Sequence, residues 1–187
     1  GDLLAMNGLS IFDSADYSQE AFFQRALNGE TVITSPVQNK GDEIEIKIAA
    51  PLCKDGDTSG QIIGVIVITP QKTFLNDITN SIQVSDNGYA YMLNQDGYVI
   101  AHKNEELVTG MDNSIEDAKT NSSVKSVAKL EEKMVAGKTG FSKYRYGGVS
   151  KILAYAPVAN TDGWSVAISA PSNDFMCVVS VSPSIWY

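Results

Sequence analysis

The sequence is short of the residues on which most site chemistry depends. Histidine occurs once, as His102, in 187 residues, which excludes a multi-histidine metal site and argues against a histidine-dependent triad. Cysteine occurs twice, as Cys53 and Cys177, in no C-x-x-C pairing. That excludes a zinc ribbon and a disulfide-dense scaffold. One thiol falls in a turn and the other near the C-terminal end, which predicts two free thiols. Lysine and arginine number 14 against 22 aspartates and glutamates, a net charge of −8. Without a basic cluster, nucleic acid is excluded as a partner, because phosphate neutralisation supplies most of that affinity. No apolar run reaches the roughly 18 residues of a membrane span, and no signal peptide opens the chain. The start at Gly1-Asp2-Leu3-Leu4, without an initiator methionine, predicts a piece of a longer polypeptide.

What is present suits a globular fold. Hydrophobic residues make up 43% and charged residues 19%, which excludes disorder. The length allows one large domain or two small ones. Leu9 to Phe12 is a short apolar stretch. Ser18 to Leu27 reads as a helix, capped by Asp16 or Ser18 and closed by Gly29. Glu43 to Ile48 alternates as a half-buried strand that Pro51 ends, and Lys54 to Gly60 is a turn. Ile62 to Ile68 reads as a strand buried on both faces. Phe74, Ile78 and Ile82 stripe an amphipathic helix of three to four turns. Tyr89 to Leu93 and Tyr98 to Ala101, joined through Asp96-Gly97, predict a hairpin. Residues 103–120 are loop-like. Val124, Val127, Glu131 and Met134 mark a helix closed by Gly137, and strands follow at Gly140 to Tyr146, Ile152 to Ala156 and Trp164 to Ser169.

The chain also echoes itself. Ala49-Ala50-Pro51-Leu52, a polar turn and Gly64-Val65-Ile66-Val67-Ile68-Thr69-Pro70 are matched by Tyr155-Ala156-Pro157-Val158, a polar turn and Gly163 to Pro171. Gly1 to Met6 is echoed by Gly97 to His102. Both echoes lie roughly a hundred residues apart, a normal domain size. They predict an α+β fold of two tandem PAS-like modules, each an antiparallel sheet with helices, with a ligand seated between sheet and crossover. The predicted organisation is a distal module at 1–70, a connecting helix at 71–85, a proximal module at 86–171 and a C-terminal helix at 172–187.

Several runs then carry a resemblance. They are Asp16-Tyr17-Ser18 before Phe22-Phe23-Gln24-Arg25-Ala26-Leu27-Asn28-Gly29-Glu30, Ser35-Pro36, Ile48-Ala49-Ala50-Pro51 and Gly60-Gln61-Ile62-Ile63-Gly64-Val65. Gly88-Tyr89-Ala90-Tyr91, Asp96 to His102, Ala154-Tyr155-Ala156-Pro157 and Gly163-Trp164-Ser165-Val166 complete the set. In order and spacing the chain resembles the double Cache extracytoplasmic sensor domains of bacterial methyl-accepting chemotaxis receptors. The resemblance implies a cell-membrane receptor anchored through flanking segments outside this sequence, no catalysis, no cofactor, a homodimer in the intact receptor and a distal module truncated at its N-terminus, without its first helix and strand.

It also implies a small-molecule site in the distal module, at Asp16, Tyr17, Glu20, Phe22, Phe23, Val37, Asn39 and Thr69. The Arg-x-Trp-Tyr run of the family's amino-acid binders falls here on Glu20-Ala21-Phe22-Phe23. Its Tyr-x-Asp falls on Val37-Gln38-Asn39, and a further Asp on Thr69. An arginine fork is the usual carboxylate clamp, and Glu20 would repel a carboxylate. An amine or neutral polar solute is therefore expected ahead of an amino acid in the usual mode. Phe22 and Phe23 would wall it and Glu20 pair with it. The other reading makes Glu20 a solvated carboxylate in the first helical turn.

Other signals are weaker. Asp55-x-Asp57-x-Ser59-Gly60 opens like a calcium loop, but its twelfth position is Ile66, so a turn is the better reading and no metal is expected. His102 reads as a structural histidine held by loop backbone. Trp164, Tyr155 and Tyr144 would either line a second, proximal pocket or form core. The output domain is open between chemoreceptor, histidine kinase and diguanylate cyclase. A small secreted hydrolase is the reading of another class, weakened by the lack of a Gly-x-Ser-x-Gly elbow or metal spacing.

Overall fold

The computed structural model describes residues 16–35, 37–38, 44–71 and 73–175. Leu9 to Phe12, the opening echo, Asn39, Glu43, Cys177 and the helix expected beyond Phe175 lie outside the described residues. The chain divides into two compact units, Gly1–Lys72 with Asn160–Asp162, and Thr73–Ala159 with Gly163–Tyr187.

In unit 1, helix α1 (Ala21–Leu27) starts later than the sequence suggests. Ser18 and Gln19 form a turn closed by the Glu20 amide on the Tyr17 carbonyl at 2.9 Å, which leaves Glu20 at the N-cap. Neither Asp16 nor Ser18 caps the helix; the Asp16 carboxylate instead accepts the Ser18 amide at 2.9 Å. Gly29, at φ 97°, ends the helix where a left-handed residue is needed. Strands β1 (Val32–Ile33), β4 (Ile48–Cys53) and β5 (Ile62–Ile68) form an antiparallel sheet in the order β1-β4-β5, and β2 (Val37–Gln38) pairs with β3 (Ile44–Glu45). Phe22 and Ala26 of α1 close on Val32 and Ala49, with Val65 and Val67 beside them.

Two expectations fail in this sheet. Pro51 does not end a strand but lies inside β4, opposite Val65. Strand β1 pairs only with Ile48 and Ala49, so Pro51 has β5 on one side and no described ladder on the other, a place where a missing N–H is tolerated. Nor is β5 buried on both faces: Ile63, Ile66 and Ile68 are 57, 46 and 54% exposed. Helix α1 covers only the face that carries Ala49, Val65 and Val67, so Ile66 and Ile68 stand on the opposite face with Leu52.

Unit 2 opens with α2 (Phe74–Ser81), which turns Leu75 and Thr79 inward. Phe74 and Ile78, the expected core stripe, are 36 and 44% exposed. Buried Thr79 is tolerable because its hydroxyl donates to the Leu75 and Asn76 carbonyls at 3.2 and 3.1 Å. The hairpin of β6 (Tyr89–Leu93) and β7 (Val99–His102) forms as expected, with Gly97 at φ 85°. Its turn is fixed by Asn94 Oδ1, which accepts the Asp96 and Tyr98 amides at 3.1 and 2.9 Å.

The stretch 103–120 is not a loop. It holds α3 (Glu105–Thr109) and α4 (Ser114–Asp117), capped by Asn104 and Asn113. Buried Asn113 works twice, accepting the Ile115 and Glu116 amides at 3.1 Å each and donating Nδ2 to the Asp96 carbonyl at 3.0 Å. Asn113→Ala is expected to cost about 1–3 kcal/mol in urea denaturation. Asn113→Asp should lose less, because it keeps the cap and drops only the Nδ2 bond.

Helix α5 (Lys125–Val135) crosses to β8 (Gly140–Tyr146), β9 (Val149–Pro157) and β10 (Ser165–Pro171). The resulting antiparallel five-stranded sheet runs β7-β6-β10-β9-β8. Helix α2 packs on β6 and β7, while α5 packs on β8, β9 and β10. Both the β4–β5 pair of unit 1 and the β9–β10 pair of unit 2 are antiparallel hairpins carrying the echoed segments.

Candidate functional site

The residues expected to form the distal site are only partly gathered. Tyr17 stands edge-on to Phe22, ring centroids 5.5 Å apart. Lys47 Nζ lies 5.5 Å over the Tyr17 ring and pairs with Glu45 at 3.0 Å. Phe22 is buried in the core of unit 1 with Ala26, Val32 and Ala49, and Phe23 packs partly against it. Asp16, Glu20 and Thr69 are exposed. Hydrogen bonds from Ser18 hold the Asp16 carboxyl below its usual range. Val37 lies in β2 opposite Glu45, and Asn39 lies outside the described residues. Arg25, the one arginine of unit 1, is bound to Glu30 and Asp162 at 2.8 Å each, so its fork is not free to clamp a carboxylate.

Among the described residues the richest polar constellation lies in unit 2. Strand alternation puts Tyr89 and Tyr91 of β6, Ser165, Ala167 and Ser169 of β10, Leu153 and Tyr155 of β9, and Tyr144 of β8 on one face of the sheet. Helix α5 lays Glu131 and Met134 against that face. The Tyr91 hydroxyl donates to Glu131 Oε1 at 3.0 Å and lies 3.9 Å from Met134 Sδ. Ser165 Oγ donates to the Met134 carbonyl at 2.7 Å, and Tyr144 Oη and Ser169 Oγ are 2.7 Å apart. The Tyr155 ring lies over Gly140, where a Cβ would come within 2.9 Å of its hydroxyl.

At one edge of this face three rings meet. Tyr89 and His102 centroids are 5.0 Å apart, Tyr91 and His102 6.0 Å. Lys103 and Lys151 place their ammonium groups 4.6 and 5.2 Å from the Tyr89 centroid. His102 Nδ1 accepts the Asn104 amide at 2.8 Å, the structural role expected of it. Its backbone amide donates to Asn76 Oδ1 at 3.0 Å. Burial, then the Lys103 charge, pushes the imidazole down to about 4.

Burial also raises the Glu131 carboxyl against the opposing hydrogen bonds from Tyr91 and Ser114, and it raises the Tyr91 hydroxyl, with the Glu131 charge adding to it. Trp164 is 2% exposed and is core; Tyr144 and Tyr155 are buried on the α5 face. Glu131 was visible in the sequence as a carboxylate inside an apolar helical stripe, and Tyr89 and Tyr91 as an alternating pair. Their meeting was not. Among the described residues no cluster of His, Cys, Asp and Glu is suited to a metal ion, and Cys53 carries a free thiol.

Comparison with known proteins gives this arrangement a context. The Cache domain family model matches residues 3–177. The chain belongs to the Cache domain family. Its relatives include the methyl-accepting chemotaxis protein McpA of Pseudomonas putida, 25% identical over 82% of this chain and 22% of McpA. Among solved structures, the ligand-binding domain of the chemoreceptor PctB of Pseudomonas aeruginosa PAO1, in complex with L-Arg, aligns with TM-score 0.53 and 22% identity. That alignment covers 88% of this chain and 64% of PctB's. The extracellular domain mmHK1S-Z3, assigned to a histidine kinase, aligns with TM-score 0.56 and 20% identity, covering 89% of this chain and 56% of that one. At such identities the structural likeness speaks for the fold.

This Cache domain thus has the family's α+β fold of antiparallel sheets and few helices, and it spans about a fifth of the length of the curated relatives it matches. Cache domains of chemoreceptors are non-enzymatic ligand-binding modules and extracytoplasmic parts of membrane proteins. No helix among the described residues is long and apolar enough to cross a membrane.

Proposed function

We propose that this Cache domain is the small-molecule sensor of a methyl-accepting chemotaxis receptor, binding its solute in unit 1 and signalling across the membrane through flanking segments. The observation that carries the reading is the family match over residues 3–177, in company with chemotaxis relatives. The α+β architecture supports it further. The order β1-β4-β5 in unit 1 parallels β8-β9-β10 in unit 2, as tandem PAS-like modules require, and unit 1 would be the membrane-distal one. A homodimer in the intact receptor belongs to the same reading.

The solute we assign is an amine or a neutral polar molecule, held near Asp16, Tyr17, Glu20, Phe23, Val37, Asn39 and Thr69, with Phe22 backing the site from the core. Exposed Glu20 is at hand to meet a cation, and Arg25 is committed to Glu30 and Asp162. The ligand moves a two-state equilibrium only by its differential affinity for the two states. A second reading, a histidine-kinase output, is favoured by the likeness to mmHK1S-Z3.

The test is a thermal-shift screen of amines, polyols and amino acids on wild type and Glu20→Ala. The expected result is an amine- or polyol-induced rise that Glu20→Ala reduces. A response confined to amino acids and indifferent to Glu20 would overturn the ligand assignment. No response to any class would overturn the sensing site in unit 1.

A further inference from the structure

One corner of unit 2 gathers positive charge with no described acid paired to it. Tyr89, at the start of β6, has the Lys103 ammonium 4.6 Å from its ring centroid and the Lys151 ammonium 5.2 Å from it. Lys151 Nζ also donates to the Tyr89 hydroxyl at 3.4 Å. The described ion pairs engage Arg25, Lys47 and Lys119, and neither of these two lysines. His102 stands beside the same ring, and both lysine charges help to push its imidazole down. In a chain of net charge −8 such a corner stands out.

The corner also holds a cavity. It lies between the C-terminal end of α2 and the start of β6, measures about 170 Å³ and is half open to solvent. Lys103 and Tyr89 line it, with Asn80 and Gln83 as amide donors and Ile82 and Ala90 as apolar wall. No aspartate or glutamate lines it. At about 30 Å³ per water-sized group, the volume admits a solute of a few heavy atoms. An organic cation would be repelled by both lysines. The Tyr89 contact already restrains the Lys103 ammonium, so an anion meets a donor whose freedom is reduced before binding. An inorganic anion would leave Ile82 and Ala90 in water, whereas an alkyl group covers them.

We propose that this cavity is a second ligand site of the Cache domain, for a short-chain carboxylate whose oxygens bond the Lys103 ammonium and the Asn80 or Gln83 amide and whose alkyl end covers Ile82 and Ala90. Lys151 adds its charge from its place over the Tyr89 ring. The site is independent of the one assigned to unit 1 and takes a ligand of opposite charge.

His102 is the single histidine of the chain, so its imidazole resonances report on this corner alone, while titration calorimetry gives affinities. Sodium propionate is the probe, against sodium chloride, sodium phosphate and propylammonium chloride at equal ionic strength. The proteins are wild type, Lys103→Met and Lys129→Met, the last removing an exposed lysine of α5. Propionate should move the imidazole resonances saturably, and chloride and propylammonium should not. Lys103→Met should bind propionate at least about tenfold more weakly, the loss of one charge-assisted bond, and Lys129→Met should bind it as wild type does. Lys103→Gln serves in its place should the methionine variant fail to fold. No saturable shift, an equal shift with chloride, or one that Lys103→Met leaves intact would overturn the proposal. Equal weakening in Lys129→Met would mark attraction by general charge and overturn it too. Phosphate bound as tightly as propionate would overturn the assignment to a carboxylate.

Discussion

Trp164→Ala is expected to cost unit 2 about 3–5 kcal/mol, the range for truncating a buried aromatic side chain. Among the described residues Trp164 is the largest fully buried side chain, at 2% exposure. It stands one residue before β10, and its carbonyl accepts the Val158 amide at 2.8 Å. The chain reaches it through Gly163 at φ 79°, where a Cβ would come within 3.0 Å of the Gln95 Cβ. Backbone and side chain are therefore both fixed, and the surroundings have little freedom to collapse into the hole. Alanine removes the contacts and leaves the cavity, so transfer and cavity penalties add. Urea denaturation followed by far-UV circular dichroism would measure the loss. Trp164→Phe should recover more than half of it by keeping most of the volume. A cost below about 1 kcal/mol, the scale of a surface substitution, would mean that the indole is not core.

The same segment shows what local sequence can and cannot say. Gly163-Trp164-Ser165-Val166 is read correctly as the entry to a strand because glycine and β-branching are local signals. The β6–β7 hairpin is legible for the same reason: Asp96-Gly97 supplies the turn that the register needs. Helices α3 and α4 escape because each is too short to show an apolar period. What forms them is the asparagine caps, which in sequence look like loop. The apolar run of β5 does not tell a strand covered on both faces from one covered on a single face, since that depends on what packs there.

The candidate sites divide along the same line. That Glu131 shares a stripe with Val127 and Met134 is local, and so is the alternation of Tyr89 with Tyr91. Their convergence depends on non-local facts, the register that sets Tyr91 opposite Ala167 and Ala167 opposite Tyr155, and the passage of α5 across that row. Phe22 shows the converse. Its place in the carried-over motif marks it as a ligand wall, whereas spacing with Ala26 at i, i+4 marks one face of a helix, and in the fold that face is the core of unit 1.

Two ionisable groups of unit 2, buried Glu131 and half-buried His102, should give its stability opposing pH slopes. The Glu131 carboxyl is raised above its ordinary 4.5, chiefly by burial. As pH climbs from 4.5 to the folded value, the unfolded chain releases its proton first, so stability falls and then levels. His102 works the other way. Its imidazole drops from 6.5 to about 4, so stability is full above 6.5 and is lost as pH falls toward 4. Because the ring is partly exposed, solvent screening brings that loss to about 1–2 kcal/mol. The charged and titratable groups facing the two are Tyr89, Tyr91, Tyr144 and Lys151 from the sheet, Lys103 after β7 and Asp112 before α4, with the Ser114 hydroxyl of α4 as a further hydrogen-bond donor to Glu131. Asp112 is itself raised by burial and adds to the Glu131 slope. Urea denaturation from pH 4 to 8.5, followed by far-UV circular dichroism, separates the terms. Glu131→Gln should remove the loss that begins as pH climbs past 4.5 and leave the His102 slope between about 4 and 6.5. His102→Asn, whose Oδ1 stands near the Nδ1 position and keeps the Asn104 bond, should remove the gain in stability between about pH 4 and 6.5 and leave the Glu131 slope. If each substitution left both slopes unchanged, neither group would be buried in the protonation state that the fold assigns it.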